Sequence, residues 1–364
     1  MDFTSLGVPA PLAAALAARG ITEPTEIQRE VIPGACAGES LIGEAPTGTG
    51  KTLAYLLPAL MRIDPAVRAA QVLVLAPTHE LAMQIAGVAR ELVQTAGLSV
   101  GVQALIGGAN VQRQIDALKK KPALIVGSAP RIVELHRLRK LKLQEVRLCV
   151  LDEFDRLLGK QHSAEVRAAL HLLPRERQML LLSATAAAGT VQAAEEICTP
   201  RIIRAAAQET TCENYYHIVS FRDKIKAVQK LTRRLPIRRG LVFVGRSFDA
   251  AKAVEKLQYE GIRVAALLGG ERRDQRRAAL DAIRAGRAQL LISTDLAARG
   301  LDIEDVDCVV QVDLPEDVRT YRHRAGRTAR AGKAGAVISL VDAKEVERLK
   351  TLAARMKLDV KQLD

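Results

Sequence analysis

The chain has 364 residues, 48% of them hydrophobic, with 54 Lys and Arg against 41 Asp and Glu, which leaves +13 at pH 7. That length favours two domains, the apolar content excludes bulk disorder, and the positive excess points to a polyanionic partner. No apolar run approaches the ~20 residues of a membrane span, and five cysteines without a CxxC pair indicate neither a zinc site nor a disulfide framework. Met1-Asp2-Phe3-Thr4 lacks the basic start of a signal peptide, so a reducing cytoplasm is the expected location and no membrane the expected partner.

In chain order, short and nearly continuous apolar runs predict strands at 40–43, 72–76, 102–106, 124–126, 148–151 and 179–182. After a lapse in the apolar rhythm at 205–213 they resume at 241–244, 264–267, 290–293, 309–312 and 336–341. Runs of this kind are strands covered by helices on both faces, and the intervening segments are long enough for crossover helices. The expected fold is α/β: two domains, 1–207 and 208–364, each a mainly parallel sheet flanked by helices. After Gly332 about one more strand and one or two helices are expected. Charge divides unevenly: 23 basic and 20 acidic residues precede position 211, whereas 31 and 21 follow it. In parallel sheets ligands gather at the C-terminal strand edges, and most of the polar motifs fall there.

The strongest local signal is Ala45-Pro46-Thr47-Gly48-Thr49-Gly50-Lys51-Thr52, between a predicted strand and a helical run at 53–61. Gly48 and Gly50 let backbone N–H groups approach phosphate oxygens, and Lys51 can reach the β and γ phosphates. The Thr52 hydroxyl suits Mg²⁺. Ala45 stands where the strict phosphate-loop pattern has Gly. About 100 residues on, an apolar strand ends in Asp152-Glu153-Phe154-Asp155. Asp152 can hold Mg²⁺, and Glu153 can orient and deprotonate an attacking water. An acidic pair after a strand is often a solvated turn; paired with Lys51 it reads as catalytic.

These residues resemble the DEAD-box family of ATP-dependent RNA helicases, over nearly the whole chain and with many motifs in order. The resemblance implies two tandem RecA-like domains with ATP bound by the first and completed by the second. Phe3 and Gln28 look like the adenine-recognising segment, with Thr47, Gly48, Thr49, Gly50, Lys51, Thr52 and Asp302 as further ATP contacts. Asp155, Ser183, Thr185 and His323 resemble residues that couple hydrolysis to RNA, while Pro77, Thr78, Gly107, Gly108, Ser128, Arg131, Arg276 and Thr294 resemble RNA-contacting ones. Arg327 and Arg330 match arginine fingers. The sequence departs from the family pattern at His79, at Pro130, which has no backbone N–H to offer a phosphate, and at Phe154. The implied activity is RNA-stimulated ATP hydrolysis that locally unwinds short RNA duplexes, with ATP and Mg²⁺ as cofactors. An ATP-gated RNA clamp that unwinds little is the alternative, motivated by those three departures.

Overall fold

The computed structural model describes every residue except 1, 47, 206–211, 246–248, 269–272, 299–302, 304–305, 330–333 and 364. The chain divides into two units, Met1–Ala207 and Gln208–Asp364.

Unit 1 is one seven-stranded sheet: β1 (Leu41–Glu44), β2 (Val72–Leu75), β3 (Val102–Leu105), β4 (Leu124–Gly127), β5 (Leu148–Asp152), β6 (Gln178–Ser183) and β7 (Arg201–Arg204), in the order β3-β4-β2-β5-β6-β1-β7. Every pairing in it is parallel. The side-chain period of two explains why the strands read as unbroken apolar runs. Val72, Val74, Leu124, Val126, Leu148 and Val150 enter one buried core. Leu73, Leu75, Ile125, Cys149 and Leu151 enter the other, on the opposite face. Each fully buried Val or Leu contributes about 1.5–3 kcal/mol, so both faces need a helical cover.

Unit 2 repeats the plan with β8 (Cys212–Ile218), β9 (Gly240–Phe243), β10 (Val264–Leu267), β11 (Leu290–Ser293), β12 (Cys308–Gln311), β13 (Gly335–Val341) and β14 (Val360–Gln362). The order is β10-β11-β9-β12-β13-β8-β14, again all parallel. Leu241, Phe243, Leu291 and Val309 face one core, and Val242, Leu290, Ile292 and Val310 the other. Each unit is thus a parallel sheet covered by helices, as the apolar pattern predicted, and the shared strand order of the two units agrees with the tandem plan that the resemblance implies.

Three strands escaped the apolar pattern. β7 is Arg-Ile-Ile-Arg on the sheet edge, with both arginines exposed. β8 reads Cys-Glu-Asn-Tyr-Tyr-His-Ile and is only partly buried, because polar groups alternate along it. β14 has three residues on an edge of the unit 2 sheet, so two strands, not one, follow Gly332. The parallel arrangement carries the C-terminal ends of all strands in a unit to one edge, and the loops there hold the motifs.

Candidate functional site

β1 runs into the loop 45–50, and the helix Lys51–Met61 begins at its end. Gly50 has φ +84°, in the left-handed region, and a Cβ there would collide with the Gln28 amide. Only glycine satisfies both demands. Gln28, 1% exposed, is the reason for the crowding. Its Oε1 accepts from Thr25 N at 3.0 Å, and its Nε2 donates to Gly50 O at 3.0 Å. Thr25 Oγ1 donates to Thr49 O at 2.7 Å. The start of the helix Glu26–Cys36 is therefore fastened to the phosphate-type loop by two side chains. Lys51 Nζ donates to Ala45 O and Pro46 O, both at 2.7 Å. Thr47 lies outside the described residues.

β5 delivers Asp152 to the same edge, 5% exposed. Tyr55, from the helix that begins at Lys51, donates its hydroxyl to Asp152 Oδ2 at 2.9 Å, and Glu153 N donates to Oδ1 at 3.0 Å. Burial, reinforced by the Glu153 charge, pushes Asp152 up to about 6. Burial also pushes the Tyr55 hydroxyl well above its ordinary value, with the Asp152 charge adding to it. Glu153 sits at φ +53°, a conformation that costs a non-glycine residue about 1–2 kcal/mol. Arg156 Nη1 holds its Oε2 at 2.7 Å. Phe154, the departure from a small residue, is fully buried in the core beside Leu151 and Leu181. The fold absorbs it away from the carboxylates. Asp155 Oδ2 accepts from Thr185 Oγ1 at 3.0 Å, and Ser183 Oγ accepts from Thr185 N at 3.3 Å. The ends of β5 and β6 are joined through these groups.

A testable consequence concerns Asp152 in the nucleotide-free protein. Its folded value of about 6 lies above the ordinary 3.8, so its charge costs stability. The cost is absent where the group is protonated in both states, grows as pH rises from about 4, and is complete above about 6. Asn can keep both bonds, accepting from Glu153 N and donating to Tyr55 Oη. Asp152→Asn is expected to raise the melting temperature by a few degrees at pH 7.5, and the gain should shrink toward pH 4. Melting curves across that range check it; a drop at pH 7.5 refutes it.

The loops after β2, β3 and β4 lie beside one another. Thr78 Oγ1 caps the helix His79–Thr95 by accepting from Leu81 N at 3.2 Å, and Pro77 precedes it half-buried. A Cβ on Gly107 would lie 3.1 Å from His79 Nε2, so His79 packs against Gly107, the first of the pair Gly107-Gly108. Gln114 pins that turn from below, donating to Ile106 O at 3.0 Å and accepting from Ile106 N at 3.2 Å. Arg131 is 8% exposed. Its guanidinium reaches Ala109 O at 3.5 Å and Glu134 at 3.2 Å, so it buttresses the glycine turn from inside. Ser128 is half-buried before the helix Ala129–Arg137, whose first turn contains Pro130. Phe3 is 2% exposed within the core, with almost no ring face open to a base.

In unit 2, Thr294 Oγ1 donates to Leu268 O at 3.3 Å and accepts from Ala297 N at 3.3 Å. Arg276 Nη2 donates to Ala297 O at 2.9 Å, which brings the two together after β11. The helix Val318–Ala325 carries His323, half-buried, and Arg327 follows it in a turn. Arg324, 4% exposed, forks onto Asp295 at 2.7 Å through both Nε and Nη2 and lies 5.0 Å from the Phe243 ring centre. Asp302 and Arg330 lie outside the described residues.

Sequence reasoning missed Tyr55, Arg156, Gln114 and Arg324 as supports of the site. Tyr55 had a signal: it is four residues after Lys51 on one helix, hence on the same face.

Residues 25–194 match the family model for the DEAD/DEAH box helicase, and residues 223–332 that for the helicase conserved C-terminal domain. The chain is 40% identical to the DEAD-box ATP-dependent RNA helicase CshC of Bacillus cereus, covering 93% of this chain and 87% of that one. It is 38% identical to the probable ATP-dependent RNA helicase YfmL of Bacillus subtilis, over 95% and 92%. Among solved structures, S. cerevisiae Dbp5 bound to RNA and ADP BeF3 aligns with a TM-score of 0.89 at 28% identity, covering all of this chain and 95% of that one.

Proposed function

Because the chain belongs to the DEAD-box family of ATP-dependent RNA helicases, we propose that it hydrolyses ATP in response to RNA and uses the cycle to separate short RNA duplexes locally. The observation that carries this reading is the meeting of three strand ends in unit 1. The phosphate-type loop after β1, the Asp152–Glu153 pair after β5 and the Thr185–Asp155 bond after β6 share one edge.

Lys51 would exchange its loop carbonyls for the β and γ phosphates. Thr52 and Asp152 are the hard oxygen donors that Mg²⁺ takes, and a cation beside a buried carboxylate pushed up to about 6 restores its charged form. Mg²⁺ would offset phosphate charge there. Glu153 would orient the attacking water and accept its proton. Arg156 sets where that carboxylate points, and Asp155 passes the state of the acidic motif to Thr185. Gln28 reaches the loop rather than standing open, so its adenine preference would act together with loop conformation. We place RNA on the loops holding Pro77, Thr78, Gly107, Gly108, Ser128, Thr294 and Arg276, read through the backbone and not the bases. Arg131 would act there by holding the glycine turn. His323 would share in coupling, and Arg327 and Arg330 would bring charge to the transferred phosphate. ATP and RNA each favour the same engaged state, so each tightens the other. Among the described residues no helix is long and apolar enough to cross a membrane, and no cysteine is paired; a cytoplasmic location is part of the proposal, carried by the kinship with bacterial RNA helicases.

Steady-state phosphate release with and without RNA tests the reading, together with strand separation of a short duplex under ATP. ATP-dependent RNA retention without strand separation would favour the clamp, and no RNA-dependent turnover would remove the helicase reading. Affinity for single-stranded RNA should fall with salt, each neutralised phosphate contributing a log–log slope of about −0.7. Arg276→Ala should remove about one such contact, equally for RNAs of different sequence. A slope that the variant leaves unchanged places Arg276 off the RNA.

A further inference from the structure

Every contact proposed above lies at the C-terminal ends of strands. The opposite edge of unit 2, where strands begin, has a charge of its own. Arg239, Arg263 and Asp307 immediately precede β9, β10 and β12, and Gln289 precedes β11. In the sheet these positions are neighbours. Gln289 N donates to Arg263 O at 2.7 Å, Gly240 N to Gln289 O at 2.9 Å, and Asp307 N to Arg239 O at 2.9 Å. At about 4.8 Å per strand they span roughly 14 Å. Arg233 lies at the end of the helix Lys224–Arg234 and Arg238 two residues before β9, while Arg284 closes the helix Arg273–Arg284 and Arg287 follows it. Arg233, Arg238, Arg263, Arg284 and Arg287 are all exposed.

The plainest account is that these cations serve the carbonyls at helix C-termini. It covers part of the cluster. Arg239 Nη2 donates to Arg284 O at 3.1 Å, Arg263 Nη1 to Gly286 O at 3.0 Å, and Arg233 Nη2 to Glu260 O at 2.9 Å. Arg233 is also 3.4 Å from the Glu260 carboxylate, whereas the Arg263 bond engages one of five guanidinium donors and leaves the charge in place. It also fixes the side chain, which lowers the ordering cost of meeting a ligand. Arg238, with its side chain 87% exposed and Asp307 3.5 Å away, stands outside that capping pattern. Unit 1 provides a contrast at the same edge. There Arg201 pairs with Glu39 at 2.7 Å and Arg147 with Glu145 at 3.9 Å; in unit 2 Arg233 and Arg238 have carboxylates at 3.4 and 3.5 Å, whereas Arg263 and Arg287 enter no ion pair among the described residues.

We propose that the strand-start edge of unit 2 is a second phosphate-binding surface, one that takes the backbone of duplex or folded RNA flanking the strand held at the motif edge. The proposal rests on the RNA reading above. Fixed guanidinium forks suit phosphate, and a surface this rich in charge is unlike the core of a protein interface, where charge is depleted. Strands of four residues separate the two edges by about 13 Å, so an RNA that serves both must fold or present a helix.

The test uses the full chain and the triple variant Arg238→Gln, Arg263→Gln, Arg287→Gln. Binding is measured across a salt series for a duplex with a single-stranded extension and for a short single strand, alongside single-strand-stimulated ATP turnover. Two to three phosphate contacts should disappear for the extended duplex, lowering its salt slope by about 2 and its affinity at least 10-fold at low salt. Affinity for the short strand and the turnover it stimulates should not change. The corresponding triple Lys variant should keep most of the slope. If the Gln triple proves unstable on melting, Arg287→Gln alone carries the test, with a loss of about one contact. Unchanged duplex binding, or equal loss for both RNAs, overturns the proposal. So does weaker binding of a polyglutamate peptide with RNA binding intact, which would mark an acidic protein as the partner. Absent turnover in the unmodified chain would instead count against the helicase reading itself.

Discussion

Glu153→Gln is expected to lower RNA-stimulated ATP turnover by roughly 10²–10⁴-fold, the range typical of losing a positioned general base. The change is nearly isosteric. The Gln carbonyl can still accept the 2.7 Å bond from Arg156, and the backbone at φ +53° is asked to do nothing new. Nucleotide affinity should therefore stay within a few-fold of the unmodified chain. RNA affinity in the presence of ATP should persist or lengthen in time, because the linked state no longer decays by hydrolysis. Single-turnover phosphate release and nucleotide titration separate the two effects. Unchanged chemistry would place the base elsewhere; lost nucleotide binding would make Glu153 a structural support.

Arg327→Ala carries the other large effect. Phosphoryl transfer spreads negative charge over the migrating group, and a guanidinium supplied at that moment is worth roughly 10³–10⁵ in rate. Arg327 follows the helix Val318–Ala325, one turn beyond Arg324, which is locked to Asp295. That lock gives the segment a fixed base from which Arg327 departs. Loss of turnover toward that range is expected, with ATP affinity little changed. Arg327→Lys should recover only a small part, since Lys keeps the charge but not the planar fork. Turnover that survives while RNA affinity alone falls would make Arg327 a backbone contact on RNA.

Much of the fold was legible because burial on both faces leaves an unmistakable pattern. Leu148–Leu151 can only be a covered strand when Val150 and Leu151 must enter different cores. Two strands were not legible, since Arg201–Arg204 lies on a sheet edge with both arginines in water and Cys212–Ile218, though paired on both sides, alternates polar groups along its length; neither needs an apolar run. At the candidate site, residue types and spacing pointed to Lys51, Asp152 and Glu153, whose chemistry is in their own side chains. They did not reveal Tyr55, whose role depends on a partner 97 positions away. Nor did they show that Arg131 would be buried under the glycine turn. A charged side chain in the first turn of a helix reads as exposed until tertiary packing covers it.

Lys51 is a competitor for its own loop. The two carbonyls that it holds at 2.7 Å must be given up before its ammonium can meet a phosphate, and bonds from a charged donor are worth about 1.5–3 kcal/mol each. Measured nucleotide affinity is then the intrinsic affinity scaled by the fraction of loops whose lysine is released. Whatever moves that fraction changes ATP occupancy without touching ATP. Thr25 and Gln28, bonded to the carbonyls of Thr49 and Gly50 in the same loop, are placed to set it. If Lys51 binds phosphate as proposed, the anchoring helix Glu26–Cys36 would act on nucleotide occupancy without contacting the phosphates.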